Sequence, residues 1–191
     1  MEIREILRAK TGENLSQTYG KCFNIKLSDA AVIIPFIWIE DQFNVLFTKR
    51  TNFVGNHRNQ ISFPGGVREK DDHLPLNTAM REFEEEVGYT INQSEIVGAL
   101  EPEHAVTGYC IYPYVGILDG MKEFSLNRAE VDKILTIPLK WLTAPGRFTV
   151  RPYARPGYDA HPVVFFDEYE GEVIWGITAS ILLKFFSLIK K

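Results

Sequence analysis

The stretch PLNTAMREFEEEVG, from Pro75 to Gly88, constrains the fold more than any other part of the chain. As a helix it sets Met80, Phe83 and Val87 at i, i+3 and i+7, an apolar face that has to be laid on a sheet. Glu82, Glu85 and Glu86 fall at i, i+3 and i+4 and share another, solvent-exposed face. Arg81 stands four residues before Glu85, where it can pair with that acid and hold its orientation. Stacking three like charges on an exposed face costs roughly 0.2–0.5 kcal/mol for each unfavourable pair. Charge runs are usually no more than solvated faces, but two neighbours argue for a use. Gly88 is a helix stop, and Pro64-Gly65-Gly66 ahead of the helix is a loop where backbone can approach a ligand or metal closely. Divalent cations among the acids would account for the arrangement, and hard oxygen donors of this kind suit Mg²⁺ or Mn²⁺.

The rest of the chain supplies the sheet. Ala30 to Trp38 and Phe43 to Phe47 are rich in β-branched and aromatic residues and are separated by Glu40-Asp41-Gln42, the pattern of a hairpin. Pro35 inside the first run argues for an edge strand or a bulge. Further strands are expected at Ile96 to Glu101, Ile111 to Leu118, Arg147 to Pro152, Val163 to Phe166 and Glu172 to Trp175. An amphipathic helix is expected at about 1–15, a short one near Leu139 to Leu142, and a C-terminal one at about 178–189. No repeat or linker interrupts the order, so residues 1–191 read as a single α+β domain, an α/β/α sandwich with helices flanking a mixed sheet.

With a formal net charge of -4 the chain has no general affinity for nucleic acid. Its 2 cysteines are too few and too scattered for a disulfide framework. The N-terminus lacks the apolar run of a signal peptide. Val173 to Ile189 is interrupted by Gly176, Lys184 and Ser187 and falls short of the ~20 apolar residues of a membrane span. A soluble, cytoplasmic protein with no membrane partner is the expectation. Basic residues gather in two places: Lys49, Arg50, Arg58 and Arg68 with His57, and then Arg147, Arg151 and Arg155 with His161. Such islands suit a polyanionic ligand, since Arg grips phosphate by paired hydrogen bonds. Trp175 and Tyr109 are able to stack on a base, to line a pantetheine channel, or simply to belong to the core.

Gly66, five residues, Asp72, eight residues, then Arg81-Glu82-Phe83-Glu84-Glu85-Glu86-Val87-Gly88-Tyr89 resembles the Nudix box. Asp72 stands where the box has Glu, and the spacer to Arg81 is one residue longer. The coenzyme A pyrophosphatase branch of the Nudix superfamily shows the same longer spacer. Leu46-Phe47-Thr48-Lys49-Arg50, Phe63-Pro64-Gly65-Gly66, Val106-Thr107-Gly108-Tyr109 with Pro113, and Trp175-Gly176-Ile177-Thr178 also resemble that branch. The chain departs from the branch at Gly55 and Asn59, which stand where the pattern has Arg and Gly.

The resemblance implies a Nudix-type fold and a metal-dependent diphosphatase acting on a small nucleotide. Coenzyme A or acyl-coenzyme A would be split to 4'-phosphopantetheine and adenosine 3',5'-bisphosphate. Glu82 and Glu86 would be the principal metal ligands, with Glu85 a further ligand or the base and the Gly65-Gly66 backbone completing the shell. Arg81 would orient Glu85; Glu101 and Glu103 are other candidates for the base. Lys49, Arg50, His57, Arg58, Phe63 and Gly65 would contact substrate, in a monomer or homodimer. A hydrolase of ADP-ribose, nucleotide sugars or dinucleotides is the second possibility. A non-catalytic nucleotide-binding module is the third, but its expected mark is loss of the glutamates, and all three are present.

Overall fold

The computed structural model describes residues 3–11, 27–52, 59–118, 123–154 and 159–189. The apolar run AAVIIPFIW lies in strand β1 (Ser28–Ile39), which turns directly into β2 (Gln42–Arg50). Glu40 and Asp41 form the turn at φ 51° and 57°, the double left-handed conformation of a two-residue hairpin, and Ile39 pairs with Gln42.

β1 is the middle of the sheet. On one flank it runs parallel to β7 (Tyr109–Leu118) from Ser28 to Ile37. The other flank is shared, with Ala30–Val32 pairing to β4 (Gly65–Val67) and Phe36–Ile39 to β2. Pro35 therefore lies on a central strand, not on the edge its ring suggested. The Ile33 amide donates to the Pro64 carbonyl on the shared flank. Alternate residues point the same way, so the missing N–H of Pro35 faces the gap between the two partners, where no donor is required. β3 (Ile61–Ser62) and β8 (Val131–Pro138) pair with β2, while β5 (Ile96–Ala99) and β6 (Glu103–Ala105) pair with β7. The result is a mixed sheet of eight strands among the described residues.

Helices flank this sheet. α1 (Ile3–Thr11) and the acid-bearing α2 (Pro75–Val87) precede the short α3 (Leu139–Leu142) and the C-terminal α4 (Gly176–Ile189). Ala79, Phe83 and Val87 of α2 are fully buried in one core with Ile33, Leu46 and Tyr112, and Met80 packs at its margin. A second core joins Leu7 of α1 and Phe185 of α4 to Phe36 and Phe47, with the Phe36 and Phe185 rings 5.2 Å apart. α2 begins at Pro75, where the lost N–H has no helical partner anyway, and the Asn77 side chain accepts the Leu74 N–H at 2.9 Å. It ends at Gly88, whose φ of 69° is left-handed and whose missing side chain would meet the Ser125 carbonyl at 2.2 Å.

β9 (Phe148–Tyr153) and β10 (His161–Phe166) form a separate two-stranded sheet. The strand expected from Glu172 to Trp175 reduces to two bridges, Tyr169 to Glu172 and Phe165 to Trp175, because α4 starts at Gly176 and leaves no length for a ladder. Cys110, fully buried on β7, is disulfide-bonded, and Cys22 lies outside the described residues. No described helix is long and apolar enough to cross a membrane.

Replacing Phe83 by Ala removes the central side chain of the α2–sheet contact. It should lower unfolding free energy by about 3–5 kcal/mol, measured by urea denaturation. A loss below about 1 kcal/mol would show that this face does not hold the helix down.

Candidate active site

The loop before α2 is pressed against β1. Gly65 has φ 152°, and a Cβ on it would lie 2.3 Å from the Ala31 carbonyl oxygen. A Cβ on Gly66 would lie 2.4 Å from the carboxylate of Glu82. The two glycines thus let the first acid of the helix rest directly on loop backbone.

Asp72 closes the loop onto the helix. Nearly buried, it accepts the Glu69 N–H at 2.9 Å and two bonds from Arg81, at 3.3 Å from Nε and 3.0 Å from Nη2. Burial pushes its carboxyl up, but the hydrogen bonds from Arg81 and from the Glu69 backbone outweigh it, leaving it below its ordinary 3.8. The same pair holds Arg81 still more firmly protonated than usual. Arg81 Nη1 donates to Glu82 and to Glu85, each at 3.0 Å. The expected Arg81–Glu85 pair is present, and Arg81 grips Glu82 as well.

The row of acids is not uniformly exposed. Glu85 is 54% exposed, whereas Glu86 is 1% exposed, because α2 lays that side of itself over the end of β2. There Glu86 accepts the Thr48 hydroxyl at 3.1 Å and Arg50 Nη1 at 3.3 Å. Burial pushes Glu86 up to about 7; Arg50 and Thr48 oppose the rise, and repulsion from Glu82 and Glu130 adds to it. Glu82 is also raised, first by burial, with Glu85 and Glu130 adding and Arg81 opposing. Glu130 was not marked by the sequence, since it comes from a turn with no periodicity linking it to α2. That turn is hung just past the end of β2 by the Thr51 N–H, which donates to the Glu130 carbonyl at 2.8 Å.

A cleft of about 1010 Å³ opens beside these groups. Arg50, Gly66, Glu82 and Glu130 line it from the α2 side, and Glu103 and Tyr109 from β6 and β7. Tyr153, His161 and Trp175 line it from the β9–β10 hairpin and the entry to α4.

Residues 28–144 match the NUDIX domain model, which is more than half of the chain. The chain is 33% identical over 165 residues to proteins described as the uncharacterized Nudix hydrolase NudL in Yersinia pestis (strain Pestoides F) and in Yersinia pseudotuberculosis (strain IP 31758). Those alignments cover 86% of this chain and 81% of each relative. The chain belongs to the Nudix family. It is a hydrolase of phosphorus-containing anhydrides. The Nudix fold is shared with a MutT/nudix family protein from Enterococcus faecalis (TM-score 0.60, 15% identity, 99% of this chain and 74% of that one). It is shared too with the NUDIX domain of Shewanella oneidensis NrtR complexed with ADP ribose (TM-score 0.51, 19% identity, 67% and 82%).

Nudix hydrolases generally need a divalent ion such as Mg²⁺ or Mn²⁺. Among the described residues no three His, Cys, Asp or Glu side chains form a ready cage. The donor chemistry nevertheless fits a hard cation. Glu82 and Glu86 are raised carboxylates that carry the repulsion of Glu130, and added positive charge would relieve that repulsion.

The remaining residues that the sequence singled out separate into groups. Arg50 and Gly65 line the cleft, as does Phe63, which is buried and stacked 5.1 Å from Phe47. Lys49 does not line it; its Nζ lies 2.7 Å from Glu172, which also binds Lys133 at 2.9 Å. Arg68 lines the cleft while pairing with Asp29 at 3.2 Å. Glu103 forms an ion pair with Lys184 of α4. Arg147 lies over Trp141 and pairs with Asp167. His57, Arg58 and Arg155 fall outside the described residues.

Asp72→Asn should lower stability by roughly 1.5–3 kcal/mol at pH 7, the scale of a hydrogen bond to a charged group. Asp72 titrates lower in the folded chain than unfolded, so its contribution is full above the ordinary carboxyl value of 3.8 and is lost as pH falls through the folded value. Melting curves of the two proteins should therefore converge in acid; a gap independent of pH would refute the ionic pairing.

Proposed function

We propose that this Nudix hydrolase splits the diphosphate bond of coenzyme A or acyl-coenzyme A to 4'-phosphopantetheine and adenosine 3',5'-bisphosphate. One observation carries the reading. Three separate stretches that resemble the coenzyme A branch supply lining to the cleft that contains Glu82: Phe63, Gly65 and Gly66; Thr107 and Tyr109; and Trp175, Gly176 and Ile177. One departure from the branch pattern is also softened by geometry. Asn59 has φ 57°, the left-handed region that glycine favours and asparagine tolerates, so the position is one that would also suit a glycine.

Glu82, Glu86 and the Gly66 carbonyl would hold Mg²⁺ or Mn²⁺, with Glu85 a further ligand. Held by these residues, such an ion would supply charge neutralisation for the diphosphate and acidify a water. Arg81 lines no part of the cleft and acts by holding Glu82 and Glu85 in place. Arg50 can keep Nη1 on Glu86 and turn its remaining N–H donors to a phosphate oxygen. Of the candidates for the general base, Glu103 lines the cleft and Glu85 and Glu101 do not, which favours Glu103 as the acceptor of the water's proton. Gly55, in place of the branch's Arg, favours a second reading: hydrolysis of ADP-ribose, nucleotide sugars or dinucleotides.

Purified protein with Mg²⁺ or Mn²⁺ should convert coenzyme A to the two named products, identified by mass within a panel that also holds acyl-coenzyme A, ADP-ribose, NADH and diadenosine polyphosphates. Turnover of ADP-ribose alone would remove the coenzyme A reading. Glu82→Gln should lower turnover by about a hundredfold or more and shift the Mg²⁺ titration to higher concentration. Unchanged turnover in that variant would rule out Glu82 as a ligand.

A further inference from the structure

The wall of the cleft built by the β9–β10 hairpin has a chemistry the diphosphate end does not use. Phe165 and Trp175 lie parallel, with an interplanar angle of 1° and centroids 5.6 Å apart. Tyr153 leans on both, 6.1 Å from Phe165 and 5.1 Å from Trp175. Arg151 holds its guanidinium carbon 4.0 Å from the centre of the Phe165 ring. β10 has β9 on one side and the Phe165–Trp175 bridge on the other, so Arg151 and Trp175 flank Phe165 from opposite sides.

This trio is not ordinary core. The neighbouring Val163, Phe166 and Ile174 are 7%, 3% and 1% exposed, whereas Tyr153, Phe165 and Trp175 are only half-buried. Tyr153 and Trp175 line the cleft, and His161, which pairs across the hairpin with Tyr153, lines it beside them. An indole backed by a parallel ring and braced by a third has its plane fixed before any ligand arrives. Rigid, flat and half-exposed, such a surface suits a planar aromatic ligand. A flexible amide arm would gain as much from aliphatic walls and would not need a fixed plane.

We propose that Trp175, backed by Phe165 and braced by Tyr153, is the stacking platform for the adenine of the substrate, with His161 at the base's edge. The proposal rests on the reading of the substrate as an adenine nucleotide diphosphate and adds which wall takes the base. The pantetheine arm, or whatever the second diphosphate substituent is, then lies elsewhere in the cleft.

The test is calorimetric titration of adenosine 5'-monophosphate and, separately, 4'-phosphopantetheine into the wild type, Trp175→Leu and Trp175→Phe. Leu should weaken the nucleotide by about tenfold or more, the scale of a lost base–aromatic stack, and leave 4'-phosphopantetheine unchanged. Phe should restore most of the nucleotide affinity. Loss of 4'-phosphopantetheine binding instead, equal loss of both ligands, or no loss of the nucleotide would overturn the assignment. Tyr153→Leu, with folding checked by melting, gives the same discrimination if Trp175→Leu does not fold. The probe separates this proposal from the coenzyme A reading. If the substrate panel yields ADP-ribose in place of coenzyme A, adenine is still the common group and the Trp175 effect on the monophosphate is still expected.

Discussion

The double hydrogen bond between Asp72 and Arg81 is the interaction on which the site depends. A hydrogen bond to a charged group is worth about 1.5–3 kcal/mol, whereas an exposed ion pair four residues apart on a helix is worth about 0.3–0.5 kcal/mol. Glu85 is more than half exposed and Asp72 is nearly buried, so Asp72 decides where the guanidinium sits and Glu85 follows. With Arg81 fixed, Glu82 is drawn by Nη1 to the position above Gly66 where no side chain interferes. One cation thereby joins the glycine loop, the helix and the first acid of the cleft.

The end of β2 does comparable work for the rest of the site. Successive strand residues point to opposite faces, and the register shifts between Lys49 and Arg50. Arg50 reaches Glu86 on α2, while Lys49 reaches Glu172, just ahead of Trp175. Two adjacent cations thus anchor both the acidic helix and the segment that carries the aromatic wall. The basic run that suggested an open phosphate patch is, in its described part, largely spent on neutralising acids: Lys49 with Glu172, Arg50 with Glu86 and Arg68 with Asp29. In the proposed site, positive charge for the substrate would then come from the spare donors of Arg50 and from bound metal ions.

Much of this architecture is legible in the sequence because it follows from short periods. The apolar spacing of Phe83 and Val87 places α2 on a sheet, and the β-branched run after Ala30 makes the central hairpin. What depends on the meeting of distant segments is not legible. Pro35 reads as an edge residue because nothing local reveals that the neighbour of β1 changes from β4 to β2. Helical spacing puts Glu86 on the acidic face but not the end of β2 over it, so its burial is invisible until Thr48 and Arg50 are seen against it. Glu130 enters from a turn with no pattern at all. The aromatic trio draws on β9, β10 and the bridge before α4, and its half-exposure is a property of their packing rather than of any one stretch.

The two departures from the Nudix box, Asp for Glu and a spacer longer by one residue, have a common physical account. Asp is one methylene shorter than Glu, and with that shorter reach Asp72 makes both bonds to Arg81. The turn that follows is braced. Arg68 Nε donates to the Asp72 carbonyl and Nη2 to the His73 carbonyl, each at 3.0 Å, which holds the turn before Leu74 starts the helix. The extra residue is taken up in backbone that Arg68 has fixed rather than in a strained loop. The shorter acid thus stands before a spacer that Arg68 braces, and its grip on Arg81 helps to hold Glu82 against Gly66.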